Sequence, residues 1–302
     1  MTAERTPLDY DFDEKHLIVD GVDIAYGDEG AAASPDALPV LLVHGLGATL
    51  DHWALAIPLL ARGHRVLALD LPGFGHSGKP DRHYGPQAYV ELLSGFLDAL
   101  GVARVFLIGH SLGGAVSAEF TLTHPSRVER LVLVDAAGMT RMPTRVLDFL
   151  LSGFERRVDP RKVILPPRLV RALVKIVFYE PVPFAARNAE RILVSMEEAD
   201  WGDRVRSFVR AFTGLSRSQV RDRLPEFTTP TLIVWGERDR VLPLRHGRML
   251  KSGILDSRIV VFAKTGHCPM IEKPDEFCRV VEEFLAESGS KRSAGPSTGD
   301  LT

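Results

Sequence analysis

Short runs of consecutive apolar residues recur along the chain, at 39–43, 65–69, 105–108, 131–134, 231–235 and 258–262. Runs of this length, bounded by glycine, proline or aspartate, predict strands buried on both faces. Between them the apolar positions change to a helical period, predicting helices over 50–62, 86–100, the stretch after Ser111, 244–251 and 274–287. Nearer the N-terminus, 16–19 and 22–26 lean towards strand and flank Asp20-Gly21, a dipeptide that closes tight antiparallel hairpins. Strand and helix in alternation imply an α/β protein: a mostly parallel, eight-stranded sheet with helices on both faces and its chemistry at the carboxyl ends of the strands.

That rhythm breaks between 139 and 224, where only helical pieces appear, punctuated by Pro143, Pro160, Pro166, Pro167, Pro181 and Pro183. An inserted helical lid accounts for the break. The expected organisation is therefore a core formed by 1–138 and 225–288, a lid over 139–224 and a disordered tail over 289–302, whose residues are small and polar. One lid piece, 169–178, is apolar on most sides and either lines a pocket for an acyl group or packs on the core. From Arg141 to Arg223 the insert carries 17 Lys and Arg against 10 Asp and Glu. Such a surplus is either a solvated basic face or an attraction for anionic substrates or a membrane surface.

Composition narrows the class without changing the architecture. Of 302 residues, 45% are apolar and 25% charged, and the formal charge is -2. Those values describe a globular protein and give no reason to expect nucleic acid, for no basic run with interleaved aromatics occurs. The first fifteen residues mix charges and lack the apolar centre of a secretory signal, and no segment offers 18 uninterrupted apolar residues, so a cytoplasmic protein without an integral membrane segment is expected. Cys268 and Cys278, the two cysteines, form neither a disulfide framework nor a metal-ligand cluster. The sequence leaves the oligomeric state open.

The candidate chemistry centres on Gly109-His110-Ser111-Leu112-Gly113, a G-x-S-x-G pattern between a predicted strand and a predicted helix. In that context the glycines permit a corner tight enough to expose a serine hydroxyl above the sheet edge. The same corner aims the Leu112 amide, at the helix N-terminus, towards an oxyanion. A serine hydroxyl is a weak nucleophile at neutral pH, so it needs a base and a third group to orient that base. His267 follows the last strand in a loop opening with Gly266 and is the candidate base. Asp239, after the penultimate strand, is the favoured acid; Asp135 competes with it, and Glu237 ranks third. A second oxyanion donor comes from the backbone N–H of Leu46 in His44-Gly45-Leu46-Gly47. His44 is read as an anchor for that loop, His110 as packing beside the corner, and His76 has no assigned partner.

These motifs, HGLG (44–47), DLPGFGHS (70–77), GHSLGG (109–114), GERDRVLP (236–243) and GHCPMIEKPDEF (266–277), resemble those of the α/β-hydrolase fold enzymes. The similarity is to the group of lidded esterases, haloperoxidases and C–C bond hydrolases, and the motifs fall in its order. The resemblance implies a triad of Ser111, Asp239 and His267, oxyanion amides at Leu46 and Leu112, and no cofactor or metal. It also implies a small-molecule substrate. Relatives that open epoxides or remove halides use an aspartate where Ser111 stands, which argues against those reactions. The primary expectation is a serine hydrolase that cleaves carboxylic esters of small to medium hydrophobic acids through an acyl-enzyme. The alternatives are a C–C bond hydrolase acting on a vinylogous diketone and a non-catalytic receptor on the same fold. The family's C–C hydrolases often resemble GNSMGG at the corner and place tryptophan after the histidine, where this chain has His110, Leu112 and Cys268-Pro269.

Overall fold

Asp20 and Gly21 adopt φ of 49° and 74°, the left-handed pair that a two-residue hairpin turn requires, and so join β1 (Lys15–Val19) to β2 (Val22–Glu29). The computed structural model describes residues 13–31, 37–82, 84–139, 158–180 and 182–287. Beyond the hairpin come β3 (Val40–Val43), β4 (Val66–Leu69), β5 (Val105–His110), β6 (Val128–Val134), β7 (Thr231–Gly236) and β8 (Ser257–Phe262). They form one eight-stranded sheet in the order β1-β2-β4-β3-β5-β6-β7-β8. β1 and β2 run antiparallel and every pairing from β4 to β8 is parallel. All eight expected strands are present, with β5 extending through His110 and β6 starting at Val128.

Strand side chains alternate between the two faces, and the core divides accordingly. On one face Leu41, Leu67, Leu107, Leu131 and Ile233 pack with Leu93 and Phe96 of α2 (Pro86–Ala99) and Val116 and Phe120 of α3 (Leu112–Thr123). On the other, Leu42, Ala68, Ile108, Val132 and Val234 pack with Ile57 and Leu60 of α1 (Ile57–Leu60). Trp53 and residues of the later helices complete that second core.

The helix expected over 50–62 is not continuous. A 3-10 turn at Leu50–Trp53 is followed by the single turn of α1. The Leu50 amide, a first-turn donor without an intrahelical partner, donates to Asp70 Oδ1 at 2.7 Å, and Pro58, which has no N–H for the preceding turn, sits where α1 starts anew.

Among the described residues of 158–224 there are helices and no strand: α4 (Pro167–Val177), α5 (Pro183–Ser195) and α6 (Trp201–Leu215), with short 3-10 turns. α4 buries Val170 and Val174, while Leu169, Leu173 and Ile176 are exposed beside Arg168, Arg171 and Lys175. No described helix is long and apolar enough to cross a membrane. α7 (Arg245–Gly253), α8 (Pro269–Glu272) and α9 (Pro274–Leu285) complete the chain's described part. The expected tail at 289–302, and 140–157 of the expected lid, lie outside the described residues.

Candidate active site

Ser111 sits at the junction of β5 and α3 with φ 53° and ψ -115°, a backbone state costly for any side chain bearing a Cβ. The turn is held by main-chain bonds: the Ser111 N–H donates to Val134 O at 3.0 Å, and Ser111 O accepts from Ala137 at 2.9 Å and Ala115 at 3.2 Å. The residues two positions to either side must be glycine for steric reasons. A Cβ on Gly113 would lie 2.2 Å from Val43 O, and one on Gly109 would lie 2.4 Å from Gly113 O. A serine at a helix N-cap ordinarily uses its hydroxyl to cap the first turn, but Ser111 makes no such bond. The hydroxyl is thus left available for chemistry.

His267 and Asp239 meet directly, with His267 Nδ1 donating to Asp239 Oδ2 at 2.7 Å, both side chains being almost wholly buried. Asp239 is held in turn by the Val241 and Leu242 amides, which donate to Oδ1 at 2.7 and 2.9 Å. Using Nδ1 for the carboxylate fixes the tautomer and leaves Nε2 on the opposite edge of the ring as the basic nitrogen. Asp135 does not take this place: its Oδ1 accepts from the Gly236 amide at 2.9 Å, and burial drives its carboxyl well above the ordinary range. Glu237 points elsewhere, accepting from the Lys264 amide. Asp135, Asp239 and His267 each offer one ligand atom within 4.8 Å of the others, a spacing compatible with a cation. However, the direct hydrogen bond between His267 and Asp239 already satisfies the two atoms it joins.

His110 ties the serine corner to the histidine loop. Its Nε2–H donates to His267 O at 2.8 Å, and the two rings lie 4.7 Å apart. Burial holds the His110 imidazole well below its usual pKa, so it is neutral and contributes no charge beside His267. The oxyanion loop approaches from the other side: a Cβ on Gly45 would lie 3.0 Å from Ser111 Cβ. Leu46, the next residue, is therefore carried to the serine. Among the described residues neither the Leu46 nor the Leu112 amide donates to a protein acceptor, as an oxyanion hole requires.

His44 anchors this loop as expected. Its Nδ1–H donates to Gly45 O at 2.8 Å, Nε2 accepts from the Leu71 amide at 2.9 Å, and burial lowers its pKa to about 4. Asp70 braces the same region by accepting from the Leu50 and His76 amides, its pKa raised by burial to about 6. His76 finds a partner after all in Glu14.

Sequence reasoning passed over Glu272. Its carboxylate accepts from the Gly266 and Tyr179 amides, both at 2.8 Å, and so joins the histidine loop to the segment after α4. The His267 amide donates to Val177 O at the end of α4. Phe208 of α6 lies over Gly47 of the oxyanion loop. The helices of 158–224 thus touch both loops that flank Ser111. The only signal for Glu272 was its place inside the GHCPMIEKPDEF motif.

A sequence-family model described as alpha/beta hydrolase fold matches residues 39–274. The 2-hydroxy-6-oxo-2,4-heptadienoate hydrolase of Pseudomonas putida F1 is 36% identical over 280 residues, covering 89% of this chain and 95% of the relative. Among solved structures, a meta-cleavage product hydrolase from Pseudomonas fluorescens IP01 superposes with a TM-score of 0.72 at 27% identity, over 90% of this chain and 97% of its own. A membrane phospholipase A, described as a bacterial virulence factor, superposes with a TM-score of 0.73 at 30% identity, over 90% of this chain and 85% of its own.

Proposed function

The chain belongs to the α/β-hydrolase fold family, and from that premise we propose a serine hydrolase that cleaves a C–C bond in a vinylogous diketone of the 2-hydroxy-6-oxo-dienoate type. The observation that carries the reading is the 2.7 Å bond between His267 and Asp239 in a chain similar over nearly its whole length to a hydrolase of that substrate class. Relatives of this kind favour C–C cleavage over the ester hydrolysis that the motifs first brought forward.

In the proposed reaction His267 Nε2 accepts the Ser111 proton as Oγ attacks the ketone carbon. The resulting oxyanion accepts hydrogen bonds from the Leu46 and Leu112 amides, each donor contributing about 3 kcal/mol to the transition state. In the 2-oxo-3-ene tautomer of the substrate, formed when the 2-hydroxyl gives up its proton and C5 gains one, the C–C bond between the attacked carbon and C5 then breaks. Its electron pair passes into the conjugated enone as a dienolate, which the His267 imidazolium protonates. Conjugation is what makes carbon an acceptable leaving group. Water, deprotonated by His267, then releases the acyl group from Ser111 as a carboxylic acid.

Ester hydrolysis on the same residues remains the second reading, supported by the likeness to a phospholipase A at 30% identity and by the departures at His110 and Cys268. Cys268 is fully buried, with Sγ 3.9 Å from His110 Nε2. Purified protein is expected to consume 2-hydroxy-6-oxo-2,4-heptadienoate with a kcat/KM at least about a hundredfold above that for p-nitrophenyl butyrate, a gap of about 2.7 kcal/mol in transition-state binding. Ser111→Ala should abolish both reactions. Faster turnover of the ester would reverse the order of the two readings, and undiminished turnover by the variant would remove Ser111 as nucleophile.

A further inference from the structure

Asp135 closes β6 at φ 41°, a left-handed conformation for a residue that is not glycine, and its side chain is fully buried. One carboxyl oxygen is spoken for by the Gly236 amide. The other, Oδ2, is buried and receives no N–H or O–H donor, and Asp135, Asp239 and His267 each hold a polar atom within 4.8 Å of the other two. Two ionised carboxylates at such range would repel by about 4 kcal/mol even in a medium of effective dielectric 20. Asp239 is committed as acceptor to His267 and to two amides, which requires its charge. The proton between the two acids therefore belongs on Asp135.

We propose that Asp135 is a positioning residue: as a neutral carboxylic acid it donates a hydrogen bond to the Asp239 carboxylate and so fixes the acid that orients His267. This rests on the triad reading above. The donated bond does two things. It locks the Asp239 carboxylate against rotation, and it withdraws part of the negative charge that His267 feels. The ionisable groups facing Asp135 are Asp239 and His267 from the loops after β7 and β8, the Cys268 thiol and, on α8, Glu272. The two other acids among them make a proton on Asp135 more favourable still.

The test uses the full chain and a fluorophosphonate probe, whose rate of attachment to Ser111 reports serine activation whatever the natural substrate. Asp135→Ala is expected to slow labelling roughly 10- to 100-fold. It should also move the acid limb of the rate-against-pH curve to higher pH, because an unshared Asp239 charge stabilises the His267 imidazolium. Asp135→Asn keeps a donor for Asp239 and an acceptor for Gly236, so it should recover most of the lost rate with the limb back in place. Independently of activity, infrared difference spectra of wild type against Asp135→Asn at neutral pH should contain the C=O stretch of a protonated carboxyl. Absence of that band, an Asn variant as impaired as the Ala variant, or a folded Ala variant with the wild-type limb and rate would each overturn the proposal. A wild-type protein that took no label would instead remove the triad reading beneath it, and the proposed role with it.

Discussion

Ser111 holds a backbone conformation that costs of order 1–3 kcal/mol, and Asp135, two dozen residues later, holds another. Each follows directly on the carboxyl end of a strand and carries a polar side chain. The buried imidazoles around them are neutral for a related reason, since three protonated rings in one dry region would repel each other and lack water. His52 illustrates the consequence for stability. Burial, followed by its neighbours His44, Arg191 and His267, lowers its pKa to about 3, while the unfolded chain titrates near 6.5. Because the folded pKa is depressed, the stability tied to neutral His52 is complete above pH 6.5 and is lost as pH falls from there towards 3. Replacing it by a residue that cannot take up a proton, as in His52→Phe, should flatten the dependence of unfolding free energy on pH. The change should approach 1.4 kcal/mol per pH unit between pH 6 and 4, read from urea denaturation at each pH. An unchanged slope would mean that His52 is solvated enough to charge in the folded state.

At the scale of elements, the strand–turn–helix of β5 and α3 and the hairpin of β1 and β2 follow from local sequence, because glycines or an Asp-Gly pair sit where the backbone needs them. The stretch 50–62 does not, for it divides into a 3-10 turn and the single turn of α1, the Leu50 amide of the first donating to Asp70 twenty residues away, a contact that periodicity cannot register. Glu272 belongs to the same class of long-range tie. By accepting from Gly266 and Tyr179 it couples the loop bearing His267 to the end of α4. Glu272→Ala leaves both amides without an acceptor, and each lost partner costs about 1–3 kcal/mol. The expected result is an unfolding free energy lower by about 2 kcal/mol or more and faster native-state proteolysis within 158–224. Glu272→Gln, which retains an acceptor oxygen, should fall between the two. Equal protease resistance in all three proteins would show that α4 is held to the core by other contacts.

For the whole molecule, the parallel sheet separates two cores that share almost no side chains. Leu93 lies fully buried on the face covered by α2 and α3, and Phe277 fully buried on the face covered by α9. Leu93→Ala should cost about 2–5 kcal/mol and Phe277→Ala about 3–5, and the double variant should match the sum within about 0.5 kcal/mol. A coupling well beyond that would mean that strain passes through the sheet. Sequence alone determined the eight strands, the α/β class, the break in rhythm after β6, and the residue types of the serine corner, the histidine loop and the HGLG loop. Those features are written locally, in periodicity and in glycines at fixed offsets. Only tertiary structure shows which of Asp239 and Asp135, two acids at equivalent strand ends, hydrogen-bonds to His267. Asp239 bonds to His267, while Asp135 accepts from the Gly236 amide and its carboxyl is pushed well above the ordinary range, first by burial. Tertiary structure also revealed Glu272, His110 and Phe208 as the links between the site and its surroundings. Links of that kind depend on distances through space between residues tens to hundreds of positions apart, and no local pattern encodes them.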